Sequence, residues 1–587
     1  MRTARAALVL AFLGLGAGAG SAQAQGLADP GARAPEAATG TRTSVAEVRG
    51  AKAMIVAAHP LASMAGRDIL AAGGTAVDAA IAATLVLNLV EPQSAGLGGG
   101  GFMVVRDGTS RALTTFDGRE TAPAAVDVNL FRGPDGSPRG FLDIVTGGAA
   151  TGVPGLLAML DLAHQRQGKL GWDRLVAPAL TLAEQGYPVG KRLAALLAEE
   201  KRLAEDPAAR ALFYRPDGSP RQAGETLVNP DYAATLRMIA THGPAAFYRE
   251  PFARRIAEAV AAASNPGHMT VADITAYRAV ERAPVCGAYL AWRVCGMGPP
   301  SSGGIAVLQI LGLVARQPAI AMDSEDGLAL TIEAMRLAYA DRDIWVADPD
   351  RVAVPTRGLI EPAYLDERAR LLNLAPGPRT PAPPGQPRVQ SGALPGPNSA
   401  RDVPSTTHLS VIDAAGNAVA LTASIESAFG ARRMVGGFLL NNQITDFSDV
   451  AEVAGRPVAN RIEGGKRPRS SMAPTIVLDA QGGVKAIAGS PGGARIPGFV
   501  ATTLIQILAL GKGPAAAVAE PHFIDRNRGV EVEAGTVLEA MMPALAARGY
   551  TPRATDLNSG LHVIVREADG FAGAADPRRE GSALAIP

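Results

Sequence analysis

The 587-residue chain has two cysteines, seven histidines and only 4% aromatic residues, and its 56 basic and 55 acidic side chains leave a formal charge of +1. That balance supplies no broad basic surface for a phosphate backbone, so nucleic acid is set aside as a partner. The histidines never fall at HxxxH or similar ligand spacing, and the cysteines are not a CxxC pair. No metal is therefore expected. A GxSxG elbow and a GxxxxGK[ST] loop are both missing, which removes elbow-type serine hydrolases and phosphate-loop nucleotide hydrolases. Beyond the first few residues no apolar run is long enough to cross a bilayer.

What is present is a globular balance, 47% hydrophobic and 19% charged, in a chain long enough for two domains or one large layered body. Residues 1–24 read as a secretory leader: Arg2 and Arg5, an apolar run over 6–18, then Ala22-Gln23-Ala24 as a small-x-small cleavage site. The mature chain is expected in an oxidising compartment, secreted and most simply periplasmic. There Cys286 and Cys295, in two short extended runs that pair as a hairpin, are a candidate disulfide.

The segment 59–92 reads as two apolar helices broken at Gly73-Gly74, with Thr75 and Asp78 as a capping box for the second. The glycine run 96–101 follows a helix and leads into a strand. A dinucleotide fingerprint needs the opposite order, so these glycines are assigned to close backbone packing and no cofactor is expected. Residues 149–372 carry mainly helical periodicity, an outer helical layer. Residues 375–405 turn abruptly to Pro, Gly, Ser and Arg, an exposed, flexible connector. Directly after it, "TTHLSVIDAAGNAVALTAS" reads as two β-runs joined by a turn at 413–417.

Ser405-Thr406-Thr407-His408 stands where connector meets strand. With the blocks "AGLGGGGFMV", "DGRETAP", "PPSSGG", "LLNNQITDFS", "KRPRSSMAPTIV" and "GSPGGARI" in this order, the chain resembles the gamma-glutamyltranspeptidase family of N-terminal nucleophile hydrolases. The resemblance implies an α/β four-layer αββα sandwich and self-cleavage between Ser405 and Thr406, giving a large subunit (25–405) and a small one (406–587) that share one body. It implies transfer of the gamma-glutamyl group of glutathione and related amides through a Thr406 ester, to water or to amino-acid and peptide acceptors. The chemistry has its own logic. A threonine hydroxyl needs an adjacent base, and a freed α-amine, with a reference pKa of about 7.7–8.0, is available at neutral pH. That amine also makes His408 unnecessary as a base, although it shares a strand face with Thr406.

By the same resemblance Arg119, Ser470 and Ser471 hold the substrate carboxylate, and Glu426, Gln443 and Asp446 accept from its ammonium. Gly492 and Gly493 form the oxyanion hole, and Ser424 steadies the nucleophile. Glu426 departs from the asparagine common in the family. Glu120 is expected to be an ordinary surface acid, and Thr407 a plain strand residue. The segment 448–465 lacks the lid tyrosine of many relatives, so hydrolysis is expected to compete well with transfer. Two other readings remain: an acylase of the same architecture acting on glutaryl-type side chains of β-lactams, and an unprocessed binding protein.

Overall fold

The computed structural model describes residues 45–388, 394–400 and 405–586. The leader and residues 389–393 and 401–404 of the connector lie outside the described residues. Two seven-stranded sheets dominate. In the first the order is Val48–Gly50, Gly570–Ala575, His562–Glu567, Val484–Ala488, Thr475–Leu478, Trp292–Gly296 and Val285–Tyr289. The second runs Ser582–Ile586, Ala53–Ala57, Thr407–Ile412, Ala418–Ser424, Gly100–Arg106, Leu113–Asp117 and Val280–Arg282. Neighbours in both are antiparallel, as hairpins and long returns require.

Alternation along these strands sends side chains to two different cores. Met54, Val56, Val104 and Ile412 of one sheet meet Ile476, Ile487, Ile564 and Phe571 of the other in an apolar layer between the sheets. The opposite face of the second sheet buries Ile55, Met103 and Leu409 against the helices Pro60–Ala71, Ala76–Val90 and Leu156–Gln167. The opposite face of the first buries Val294, Val477 and Val563 against Gly303–Val314, Glu325–Trp345 and Ile496–Leu508. Each fully buried aliphatic side chain of this kind contributes about 1.5–3 kcal/mol. Helix, sheet, sheet and helix stack in four layers, as the family resemblance implies.

Local signals hold where they are local. Thr75 Oγ1 accepts from Asp78 N at 3.2 Å while Asp78 accepts from Thr75 N at 2.9 Å, and Gly73, at φ 81°, lets the chain turn between the two helices. The glycine run is a close approach: a Cβ on Gly98 would stand 2.1 Å from Leu439 O, and one on Gly99 2.2 Å from Ser424 O. Cys286 and Cys295 are register partners across an edge hairpin and are joined by a disulfide.

The helix Glu325–Trp345 lies in the expected outer helical layer but is more deeply buried than an amphipathic surface helix. All of residues 327–342 are buried, Arg336, Asp341 and Arg342 among them. The small sheet Phe523–Asp525, Val530–Glu533 and Arg553–Thr555 and irregular chain near 380–385 cover its outer side. Within the described part of the connector, Gly385 N donates to Asp341 Oδ1 at 2.7 Å, Trp345 Nε1 donates to Gly385 O at 2.9 Å and Ala382 N donates to Asn527 Oδ1 at 2.7 Å. Residues 381–385 have no regular structure yet are tied to the body through both their backbone N–H and carbonyl groups.

Candidate active site

Thr407–Ile412 is an interior strand of the second sheet, held by Ala53–Ala57 on one side and Ala418–Ser424 on the other. Successive side chains therefore have fixed directions. Thr407 Oγ1 donates to Glu91 Oε2 at 2.7 Å on the helical side, and Glu91 is paired with Arg192. His408, on the other face, is wholly buried between Thr422 Oγ1 at 2.8 Å and Ser410 Oγ at 3.2 Å. Burial, aided by His562, holds its imidazole well below the usual range. It is a neutral core group.

Thr406 precedes the strand and lines a pocket together with Arg119, Ser405, Ser424, Glu426, Gln443, Asp446, Ser470, Ser471 and Gly493. Its Oγ1 donates to the carbonyl oxygen of Ser405 and stands 3.4 Å from Ser424 Oγ. Ser424 Oγ donates to the same carbonyl at 3.0 Å and accepts from Glu426 N at 2.9 Å. Ser405 Oγ donates to Gln93 O at 3.0 Å, and Arg579 donates to Thr406 O at 3.3 Å. The Ser405–Thr406 peptide is thus held from both sides, with one hydroxyl beside it and another polarising it.

One wall of the pocket carries donors. Arg119 donates through Nε to Pro468 O at 3.0 Å and through one terminal nitrogen to Arg469 O at 2.9 Å and Asp446 Oδ2 at 2.5 Å. Ser470 Oγ accepts from Met472 N at 3.1 Å and Ser471 Oγ from Arg342 at 2.5 Å. Neither hydroxyl has a protein acceptor for its own proton among the described residues. The facing wall carries acceptors. The 3₁₀ turn Gln443–Asp446 presents both of its end residues to the pocket, where Gln443 donates to Asp446 Oδ2 at 2.7 Å. Glu426 Oε2 accepts from Asn442 at 2.5 Å. Glu426 Oε1 and Gln443 Oε1 are buried with no hydrogen-bond partner.

Gly493 reaches the pocket at φ 58° and Gly492 stands directly behind it at φ 132°, both in the left-handed region that favours glycine. They open the helix Ile496–Leu508 through a 3₁₀ turn.

The surface placement expected for Glu120 is overturned. Its side chain is fully buried behind Arg119, 3.7 Å from the guanidinium, and neither carboxyl oxygen has a hydrogen-bond partner. Burial pushes its pKa up to about 8 against the pull of Arg119. Gly100 and Gly152 leave the room it occupies: a Cβ on either would stand within 2.8 Å of its side chain.

Three residues had no assigned role in the sequence and touch the site. Tyr277 Oη donates to Arg119 O at 2.8 Å, Asn442 holds Glu426, and Arg342 holds Ser471. Asn442 sits inside the quoted block "LLNNQITDFS", so its neighbourhood was a signal; Tyr277 and Arg342 lie in helical or loop stretches far away in sequence. Residues 448–465 contain the exposed hairpin Glu452–Val453 and Arg456–Pro457. The connector runs beside it, with Gly396 N donating to Pro457 O at 3.0 Å and Ser399 Oγ 3.0 Å from Ser448 Oγ.

A family model described as gamma-glutamyltranspeptidase matches residues 62–586. The chain is similar to a glutathione hydrolase proenzyme of Bacillus subtilis (strain 168), 35% identical over 552 residues that cover 92% of each chain. It is similar as well to the acylase ACY 1 proenzyme of Pseudomonas sp. (strain SE83), 34% identical over 550 residues covering 92% of this chain and 94% of the relative. Among solved structures, cephalosporin acylase from Bacillus halodurans matches with a TM-score of 0.80 at 25% identity, over 92% of this chain and 97% of that one.

Proposed function

We infer the activity from one premise: the chain belongs to the gamma-glutamyltranspeptidase family and is an enzyme of that family. It is a proenzyme that cuts itself before Thr406 and then moves gamma-glutamyl groups from glutathione and related amides to water or to amino acids and peptides. The observation that carries this reading is the placement of Thr406 Oγ1 against the Ser405 carbonyl, inside a pocket with donors on one wall and acceptors on the other.

In the first step Thr406 Oγ1 attacks the Ser405 carbonyl carbon while Ser424 donates to the carbonyl oxygen. The C–N bond breaks, the amine takes a proton and an ester joins the two residues. Water hydrolyses that ester, leaving a Ser405 carboxylate and a free α-amine on Thr406. In turnover this amine removes the Oγ1 proton as the oxygen attacks the γ-carbonyl of the donor, and the leaving amine departs protonated. The charge that builds on the carbonyl oxygen falls to the backbone N–H groups at Gly492 and Gly493, where loss of one donor slows such reactions by ~10²- to 10³-fold. A second attack, by water or an amine, releases the γ-glutamyl group.

The head of the donor is a zwitterion. Arg119 and Asp446 pair with each other; an α-carboxylate takes the place of Asp446 on Arg119, and an α-ammonium takes the place of Arg119 on Asp446. Ser470 and Ser471 supply further donors, and the unpartnered oxygens of Glu426 and Gln443 further acceptors. Ordered binding of both charges converts an internal pair into two charge-assisted contacts. A glutaryl-type acyl group, the acylase alternative, has no ammonium for these three acceptors.

Mass spectrometry of the purified protein and a γ-glutamyl p-nitroanilide assay test the reading together. Wild type is expected as two chains beginning near residue 25 and at Thr406, and Thr406→Ala as one uncut chain with no turnover. An uncut wild type that turns over the anilide at full rate overturns the mechanism. Faster release from glutaryl p-nitroanilide than from the γ-glutamyl donor selects the acylase instead.

A further inference from the structure

Two serines form much of the donor wall, and a hydroxyl is a donor only if something else directs its proton. Ser471 Oγ accepts from Arg342 at 2.5 Å. The same guanidinium donates through Nε to Ser302 Oγ at 3.1 Å, and Ser302 in turn donates to Ser470 O through its hydroxyl at 2.7 Å and its backbone N–H at 2.8 Å. Arg342 is 3% exposed, and its guanidinium stacks over the Tyr339 ring at 5.5 Å. Arg342 is itself paired with Asp343 at 2.8 Å, and Asp343 pairs in turn with Arg469 at 3.1 Å. One buried cation therefore holds one serine directly and the other through Ser302.

We propose that Arg342 is a positioning residue for donor recognition: by filling the acceptor side of Ser471 Oγ, it leaves the hydroxyl proton free to meet the substrate α-carboxylate. The same helix, Glu325–Trp345, sends Tyr339 Oη to Ala494 O beside the glycine turn, so carboxylate wall and oxyanion turn share one support. The role rests on the reading that Ser470 and Ser471 face the donor carboxylate.

The test compares two donors, L-γ-glutamyl p-nitroanilide and 4-aminobutyryl p-nitroanilide, which lacks the carboxylate, on the full chain. Arg342→Met is expected to raise KM for the first roughly 10- to 100-fold, the range of a hydrogen bond to a charged group. It is expected to change kcat less than about threefold, to leave kcat/KM for the second within about threefold, and to cleave itself normally. Arg342→Lys, which keeps the charge but not the fork, is expected to recover part of the loss, on the first donor alone. Combined with Ser471→Ala, the effect of Arg342→Met is expected to shrink, because both changes remove one interaction. An impaired Ser471→Ala beside an Arg342→Met with wild-type discrimination overturns the role of Arg342 and leaves the carboxylate reading standing. Equal losses on both donors in Arg342→Lys do the same. A Ser471→Ala variant that discriminates like wild type overturns the carboxylate reading, and this role with it.

Discussion

Glu426 combines a left-handed backbone, φ 80°, with a carboxyl that burial, and then the charge of Asp446, holds well above the usual carboxylate range. A non-glycine residue in that region is strained by about 1–2 kcal/mol, and asparagine tolerates it far better. Glu426→Asn is therefore expected to stabilise the protein by about 1 kcal/mol and to raise the donor KM, since a buried acceptor is lost. A thermal melt checks the first part, and a lower melting temperature would argue against the strain. Glu120 has a different signature. Its folded-state pKa of about 8 lies above the value near 4.3 of an unfolded chain. The native state thus holds an extra proton between those values, and stability falls as pH rises through that window. Glu120→Gln is expected to melt higher than wild type at pH 9, with the difference vanishing near pH 4. A constant difference across that range would refute the assignment. The family resemblance marked Glu426 by its position, but nothing in the sequence could mark Glu120 as buried. An acid becomes buried only when distant glycines, here Gly100 and Gly152, make space for it, and that is a property of packing.

At the scale of elements, the legible features were those whose causes lie within a few residues: the Thr75 cap, the turn at 413–417 and the glycine run. The helix Glu325–Trp345 was read as part of the outer layer because its apolar spacing is helical; its deeper burial comes from distant chain, the cluster around Val530 and Val532 and the stretch at 380–385, which no periodicity reveals. The hairpin within residues 448–465 bears on acceptor choice. It is exposed and carries no aromatic side chain, so it has no ring of its own to close over Thr406. Glutamate release is expected to exceed dipeptide formation at equal donor and acceptor concentrations, as measured by chromatography of the products. Dominant transfer under those conditions would show that water is excluded by some other means.

Across the whole molecule, segments from before and after the Ser405–Thr406 bond are interleaved in both sheets. The first sheet takes three strands from before that bond and four from after it, and the second takes four and three. Thr407–Ile412 lies directly against Ala53–Ala57, and Trp292–Gly296 against Thr475–Leu478. Separation of the two pieces would tear open both sheets and the apolar layer between them. The cut protein is expected to run as a single species by native mass spectrometry and to part into two chains only under denaturing conditions. Two independent native peaks would contradict this arrangement.

The interleaving of strands also bears on how such an object is made. Each sheet takes strands from both pieces, so two separately synthesised fragments would meet as open sheet edges, the form most prone to mispairing and aggregation. Translation as one polypeptide raises the effective concentration of each half around the other until the sheets are complete. Scission after folding then frees a terminus that neighbouring strands already hold in place. The connector serves assembly first, and its severance afterwards is what turns a folded chain into a reactive one.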